Sequence, residues 1–173
     1  MLRLLFVFVL ISAQTARAQE EFDAARVLLQ RGRYEEAFDA FTKAKSSAEQ
    51  VLGQSACLSS QGKSDEAISR LEIFAKDAAE TSPTVHAELA RLLFTRGRHA
   101  NAIAHVELSL SQQPDNAKAL FIKAELFRVS GELEEALATY EMLSKIPRKD
   151  LSPDEQVWVG RAKAQHALSL IHI

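Results

Sequence analysis

The sequence predicts an all-α protein built as an array of antiparallel helix hairpins. In one stretch, apolar residues recur at helical spacing, stop at Gly131 and resume at Leu133, as two helices joined by a short turn would require. Similar turn sequences begin at three earlier glycines, Gly32, Gly62 and Gly97. Six glycines and four prolines in 173 residues are few, which favours helices with short loops over a β fold with many turns.

The first 18 residues have the features of a secretory signal. The segment MLRLLFVFVLISAQTARA contains the positive Arg3, an apolar run from Leu4 to Ile11 and a small residue at Ala18. A membrane anchor is the alternative, but a spanning helix needs about 20 apolar residues and this run is less than half as long. We therefore expect cleavage after Ala18 and a mature periplasmic chain. Because no cysteine follows the apolar run, we expect no lipid anchor. We also expect no direct membrane insertion of the mature segment.

Four glycines mark the predicted hairpin turns, and they are separated by 30, 35 and 34 residues. Glycine suits the left-handed backbone that ends a helix, and small residues beside the turns allow two helices to approach closely. The pattern residues of the four hairpins are Ala25, Gly32, Tyr34, Ala37, Phe41 and Ala44; Ser55, Gly62, Ala67 and Leu71; Ala90, Gly97, Ala102, Val106 and Pro114; and Ala124, Gly131, Ala136, Tyr140 and Pro147.

With a period near 34 residues, these hairpins resemble the tetratricopeptide repeat family, whose unit is a helix A and a helix B joined by a turn. The resemblance covers about residues 20–147 and is weakest in the second repeat, whose preceding loop near Ser46 and Ser47 is expected to be short. It implies a superhelical array, a tetratricopeptide-repeat-like solenoid, of about four repeats within residues 19–167.

Residues with N-cap or first-turn chemistry precede several predicted helices: Ser64, Ser82 with Pro83, Asp115 or Asn116, and Ser152 with Glu155 at capping-box spacing. A ninth helix is expected after Pro153, either as a capping helix or as helix A of a fifth repeat. We expect it to cover the open face of the fourth hairpin through Val157, Trp158, Ala162 and residues 164–168, because a terminal repeat needs cover.

The last six residues, 168–173, form an abrupt apolar ending, LSLIHI. They resemble one translated frame of the mosaic-end adapter used in transposase-made sequencing libraries. We therefore expect a sequencing-adapter scar here and a natural chain that continues beyond residue 167. A genuine apolar C-terminus packed on the last hairpin is the alternative.

Charge and composition argue against several classes of function. The formal net charge is −2, and loss of Arg3 and Arg17 with the signal makes it −4, which does not suit a nucleic-acid binder. The single cysteine, Cys57, falls on a predicted core position, and His99 and His105 are six residues apart, which is not a metal-ligand spacing on one helix. No phosphate-binding or nucleophile motif occurs. We expect no catalytic residue, no cofactor and no metal site.

The family resemblance implies that the exposed face of the A helices lines a concave groove that receives a peptide or a helix. The matching positions are Leu52, Ala56, Ser59, Ala87, Arg91, Phe94, Lys118, Phe121, Glu125 and Arg128. The predicted partner-binding residues are Arg91, Phe94, Lys118, Phe121, Glu125 and Arg128. The two aromatic residues have an alternative role, which is packing between adjacent A helices. The set of Lys, Asn and Arg used by carboxylate-clamp adaptors is incomplete.

These observations favour a non-enzymatic, exported scaffold that binds a protein or peptide in cell-envelope assembly, secretion or polysaccharide export. Two alternatives depend on a longer natural chain: the N-terminal repeat segment of an outer-membrane β-barrel protein, or the repeat domain of a larger enzyme. The sequence predicts neither the partner nor the oligomeric state.

Overall fold

The computed structural model describes residues 17, 19–43, 48–76, 82–147, 149 and 151–171. These residues form nine helices and no strand. The helices are α1 (19–30), α2 (Tyr34–Lys43), α3 (Ala48–Ser60), α4 (Ser64–Lys76), α5 (Pro83–Thr95), α6 (His99–Gln112), α7 (Ala117–Ser130), α8 (Leu133–Ser144) and α9 (Pro153–Ile171). The predicted signal at 1–18, except for position 17, and the loop at Ser46 and Ser47 lie outside the described residues.

The chain divides into two compact units, Met1–Lys76 and Asp77–Ile173. In the first unit, α2 packs against α3 and α3 against α4. Its core contains Phe22, Ala25, Ala37, Phe41 and Cys57. Apolar burial at these small and aromatic positions holds the first two hairpins together.

The second unit contains two hairpins, α5 with α6 and α7 with α8, followed by α9. Ala102 and Ala136 are almost completely buried, as expected for residues where a helix B meets its own helix A. The last helix packs against both α7 and α8. Val159 and Ala162 supply its buried contacts, which confirms the covering helix.

The prediction was wrong about part of the buried face of α9. Val157 is 52% exposed and Leu168 is 53% exposed, and Ala164 and Ala167 are also exposed. Val159 is buried in the core, whereas the prediction had placed Val157 there. The helix carries apolar residues on more than one face, so spacing alone did not identify the side that packs.

The four hairpin turns use the same backbone device. Gly32, Gly62, Gly97 and Gly131 have φ angles of 74°, 79°, 72° and 88°, the left-handed region that strongly favours glycine. At each turn the glycine N–H donates to the carbonyl three residues earlier, and the following N–H donates to the carbonyl five residues before it. These bonds satisfy carbonyls that the end of helix A leaves open, so the turn sequence specifies the hairpin.

The predicted helix starts are confirmed at four places, in α4, α5, α7 and α9. The helix α4 begins at Ser64. The helix α7 begins after Asn116, whose side chain accepts a hydrogen bond from the N–H of Ala119 at 3.1 Å. The capping box is present, since the Ser152 N–H donates to the Glu155 carboxylate at 2.9 Å. At α5, by contrast, Ser82 occupies the N-cap position without capping, because its hydroxyl hydrogen-bonds the Thr84 hydroxyl.

Candidate functional site

A depression of about 400 Å³ lies in the second unit where α5, α7 and α9 meet. We call it the α5–α7–α9 groove. The first two of these helices are the A helices of the third and fourth repeats. Its lining consists of Arg91, Phe94, Thr95, Phe121, Ile122, Glu125, Trp158, Arg161, Ala164 and Gln165.

A buried carboxylate, Glu88, joins two of the helices beside the groove. It is 7% exposed and receives the Arg91 guanidinium at 2.6 Å and the Lys118 ammonium at 2.7 Å. Burial alone would raise the pKa of Glu88, but the two cations outweigh burial, so the pKa lies below its usual value. Arg91 and Lys118 therefore both have a structural role, and of the two only Arg91 lines the groove.

A second buried carboxylate, Glu125, forms part of the groove wall. It is 7% exposed, pairs with the Arg128 guanidinium at 2.7 Å and accepts a hydrogen bond from the Tyr140 hydroxyl. Burial, reinforced by Glu125, raises the pKa of Tyr140 far above the usual value, so this phenol remains a donor. The hydrogen bond from Tyr140 to Glu125 links α8 to α7 and orients the carboxylate that pairs with Arg128.

Aromatic rings form the apolar part of the groove. The Phe121 ring is 8% exposed and lies 6.0 Å from the Tyr140 ring and 5.4 Å from the Trp158 ring, measured between centroids. Phe94 is half-buried and stacks on His99 at 5.4 Å. Phe121 thus contributes substantially to packing, whereas Phe94 and Trp158 keep surface available to a ligand.

The structure brings together four of the six predicted residues, because Arg91, Phe94, Phe121 and Glu125 line the same groove. Lys118 adjoins it through its ion pair with Glu88 and through the Trp158 ring, whose centroid is 5.8 Å from the ammonium nitrogen. The remaining residue, Arg128, is exposed and reaches the groove only through its pair with Glu125. Whether the six bind a partner stays a prediction.

The other positions matched to the family groove are less informative. Ala87 is fully buried on α5, so it supports packing. Leu52, Ala56 and Ser59 are half-buried on α3, which belongs to the first unit.

Sequence reasoning missed Trp158 and Arg161 as groove residues. Arg161 lies over the Trp158 ring at 4.8 Å, and no carboxylate of the described residues pairs with it. Their spacing of three residues, continued by Gln165 four residues later, matches that of Lys118, Phe121 and Glu125 on α7. Extending the predicted groove positions to α9, in its alternative role as helix A of a fifth repeat, would have found them.

Glu88 was also missed, as was the contact between His86 and His105. The Nδ1 atoms of these two histidines are 3.1 Å apart, although the residues stand on α5 and α6. The Glu88–Arg91 spacing of three residues is a signal for a helical ion pair, whereas nothing local in the sequence indicates the histidine contact.

No catalytic chemistry is apparent where the structure describes side chains. Cys57 is buried, and burial raises the pKa of its thiol to about 11, which disfavours the reactive thiolate. The described residues contain no group of three or more His, Cys, Asp or Glu that could hold a metal ion. Among them, no helix has both the length and the apolar character needed to span a bilayer.

Comparison with known proteins identifies the class. A tetratricopeptide repeat model matches residues 58–117 and 88–150, and a second one matches residues 21–37. Because the first model covers more than half of the chain, this protein belongs to the tetratricopeptide repeat family. Proteins of this family bind proteins or peptides, and their repeat fold is typically non-catalytic.

Solved structures share the fold at low sequence identity. MamA 41-end from Desulfovibrio magneticus RS-1 is 18% identical with a TM-score of 0.60, covering 90% of each chain. MamA of strain MSR-1 is 17% identical with a TM-score of 0.57, covering 90% of this chain and 92% of the other. A Podosopora anserina kinesin light chain with nearly identical TPR-like repeats is 18% identical with a TM-score of 0.59, covering 90% and 92%. No curated protein matches the sequence. These similarities confirm the predicted solenoid class.

Proposed function

We propose that this protein is an exported scaffold that binds an extended peptide or a helix of a partner protein in the α5–α7–α9 groove. The single observation that carries the proposal is the composition of that groove, where the rings of Phe94, Phe121 and Trp158 stand beside the cations of Arg91 and Arg161. Aromatic residues and arginine supply much of the binding energy at protein interfaces.

The charges of the groove favour an acidic partner segment. Glu88 and Glu125 are already paired with Lys118, Arg91 and Arg128 within the protein. No carboxylate pairs with Arg161 among the residues that the structure describes, so Arg161 is the groove cation most available to a ligand. A peptide with an apolar anchor for the aromatic rings and a carboxylate near Arg161 matches these features.

The cellular setting in this proposal is the periplasm, with a role in cell-envelope assembly, secretion or polysaccharide export. It is supported by the predicted signal at residues 1–18 and by the binding character of the family. It remains separate from the groove proposal, since a partner could be recognised by the same residues in another compartment.

The groove can be tested by capturing partners from envelope extract with wild-type protein and with Arg161→Glu. We expect the substitution to reduce capture at least tenfold, because it reverses the charge of an exposed cation without opening an internal ion pair. Higher salt should reproduce part of the loss, because exposed charges are screened over about 8 to 10 Å. Lys145→Glu is a matched control, since Lys145 is an exposed cation of the same unit, 71% exposed, whose partner Glu141 is also exposed.

The double substitution Arg91→Ala with Arg128→Ala tests the residues predicted from the sequence. Since both arginines pair with buried carboxylates, the melting temperature must be measured alongside capture. Equal capture by wild type, Arg161→Glu and the double variant would refute the groove. If only the double variant loses capture, and it also melts much earlier, Arg91 and Arg128 act in folding and not in binding.

A further inference from the structure

A second groove lies in the same unit, lined by α6, the C-terminal half of α7 and Glu132. We call it the α6–α7 groove. Its volume is about 590 Å³. Val106 and Leu126 form a buried floor, whereas Ile103 and Val129 on its walls are 46% and 48% exposed. Large apolar side chains thus remain in contact with water in a concave site, which is the usual setting of a binding surface.

This groove is distinct from the one proposed for peptide binding. On α7, Lys123 lies about 160° and Phe127 about 120° around the helix axis from Phe121, because each residue advances about 100°. Phe121 and Glu125 line the α5–α7–α9 groove, and neither lines the α6–α7 groove. A ligand in the second groove would therefore contact a different face of the protein.

The spacing of the lining residues matches a helical occupant. Along α6, His99, Ile103, Val106 and Leu110 face the groove at successive intervals of four, three and four residues. Alternating intervals of three and four residues place side chains on one face of a helix, and in helix pairs this face, the seam, contacts the other helix. On the opposite wall, Lys123, Phe127 and Ser130 follow at intervals of four and three. Two such walls leave the position of one additional helix between them.

The length of the groove sets the size of the occupant. The lining of α6 extends from His99 to Ser111, which corresponds to about 18 Å along the helix axis at about 1.5 Å per residue. A helix of three to four turns fills that length.

The rim of the groove carries an excess of negative charge. Glu107 and Glu132 both line it, and neither carboxylate pairs with a cation in the part of the chain that the structure describes. The one lysine of the lining, Lys123, lies over the Phe127 ring, 5.8 Å from its centroid. The two carboxylates and the one lysine give the rim two negative charges against one positive, so it complements a basic partner.

From the seam, the length and the charge, we propose that the α6–α7 groove binds a basic amphipathic α-helix of a second protein. Apolar residues of that helix, spaced by three and four, contact Ile103, Val106, Leu126 and Phe127. Its lysine or arginine side chains lie near Glu107 and Glu132. This inference does not depend on the function proposed for the other groove.

The test uses three fluorescein-labelled 16-residue peptides and fluorescence anisotropy. The first places leucines at alternating three- and four-residue spacing, with lysines beside them and alanine and glutamine elsewhere. The second replaces every lysine by glutamate, and the third scrambles the first. We expect the protein to bind the first peptide at least tenfold more tightly than the other two, because only the first matches both the seam and the charge.

Substitutions on the protein then locate the binding. Ile103→Glu should weaken the first peptide at least tenfold, and Val129→Glu should do so independently on the other wall. Leu108→Glu is the matched control: Leu108 is on the same helix and 45% exposed, and it does not line the groove. Melting curves identify any variant that fails to fold. If one of the two groove variants does not fold, the variant on the other wall still tests the proposal.

The double charge reversal Glu107→Lys with Glu132→Lys should make the protein bind the acidic peptide more tightly than the basic one. Equal binding of the three peptides would overturn the proposal, as would equal binding by folded Ile103→Glu, Val129→Glu and Leu108→Glu. The wild-type protein could also self-associate, and Ile103→Glu could abolish that association. This result would assign the groove to a second copy of this chain and would overturn the proposal. None of these outcomes bears on capture through Arg161.

Discussion

At the scale of single residues, Gly53 has a packing role that the repeat pattern did not reveal. It lies within α3, and a Cβ atom there would overlap the Phe41 ring on the neighbouring α2. Phe41 is 2% exposed and belongs to the core of the first unit, so it has little freedom to move away. The close approach of α2 and α3 therefore depends on the absence of a side chain at this position.

We expect Gly53→Ala to lower the free energy of unfolding by about 1 to 3 kcal/mol, the usual range for overpacking. Gly160→Ala is the matched control, because Gly160 also lies within a helix but has no atom within 4 Å of an added Cβ. There the change should stabilise by about 0.5 to 1 kcal/mol, through helix propensity. Urea titration of both variants measures the difference. Similar effects of the two substitutions would contradict the proposed contact with Phe41.

Ala136 provides a test of the repeat register in the fourth hairpin. It is 2% exposed at the contact between α7 and α8, where no branched side chain fits. We expect Ala136→Leu to lower the free energy of unfolding by about 1 to 3 kcal/mol. Thermal melting followed by circular dichroism is sufficient. The exposed Ala138 serves as the control, and equal melting of the two Leu variants would show that Ala136 is not a packing residue.

At the scale of elements, two histidines connect α5 and α6. The rings of His86 and His105 stack with centroids 5.3 Å apart, and His86 is 4% exposed. Burial, followed by the charge of His105, lowers the pKa of His86 below its usual value of 6.5. The folded state therefore favours the neutral form of His86 more than the unfolded state does.

The consequence is a stability that falls on acidification. Below pH 6.5 the unfolded chain binds a proton at His86 that the folded chain excludes, so stability decreases as pH falls from 6.5 toward the lower folded pKa. Each unit of pKa difference corresponds to about 1.4 kcal/mol. Urea titrations at pH 7.5 and 5 should show this loss, and His86→Gln should reduce it while keeping a hydrogen-bonding side chain. His166→Gln on α9 is the control, and an equal reduction by that change would contradict the role of His86.

The elements also show which features local sequence can predict. Turn glycines, the Asn116 cap and the Ser152–Glu155 capping box act within a few residues, so the sequence was sufficient to place them. Glu88 and Lys118 are 30 residues apart and meet only because α5 and α7 pack side by side. Contacts of this kind depend on how neighbouring repeats stack, which the spacing of apolar residues does not specify.

At the scale of the whole molecule, repetition made the fold class predictable. Each hairpin repeats the same local requirements, so the four matches support one another, and family membership confirms them. The candidate site was less predictable. Four of six groove residues were placed together because they share a register on α5 and α7. The contribution of α9 was missed because a terminal helix can either cover a repeat or continue the array.

The predicted export of the chain can be tested on the molecule as the cell makes it. We expect the protein recovered from a periplasmic fraction to begin at Gln19, because the small residues Ala16 and Ala18 suit signal cleavage. N-terminal sequencing or intact mass measurement decides this. Ala18→Arg should block cleavage and keep the precursor with the membrane. Recovery of a chain that still begins at Met1 in the soluble fraction would contradict the signal.

The helix α7 supplies a wall to both grooves, Phe121 and Glu125 to one and Lys123 and Phe127 to the other. An occupant that shifts or rigidifies this helix would change the free energy of binding in the second groove. Thermodynamic linkage then requires the second occupant to alter the affinity of the first by the same factor. A single helix would in that way make the two partners cooperative or mutually exclusive without any contact between them.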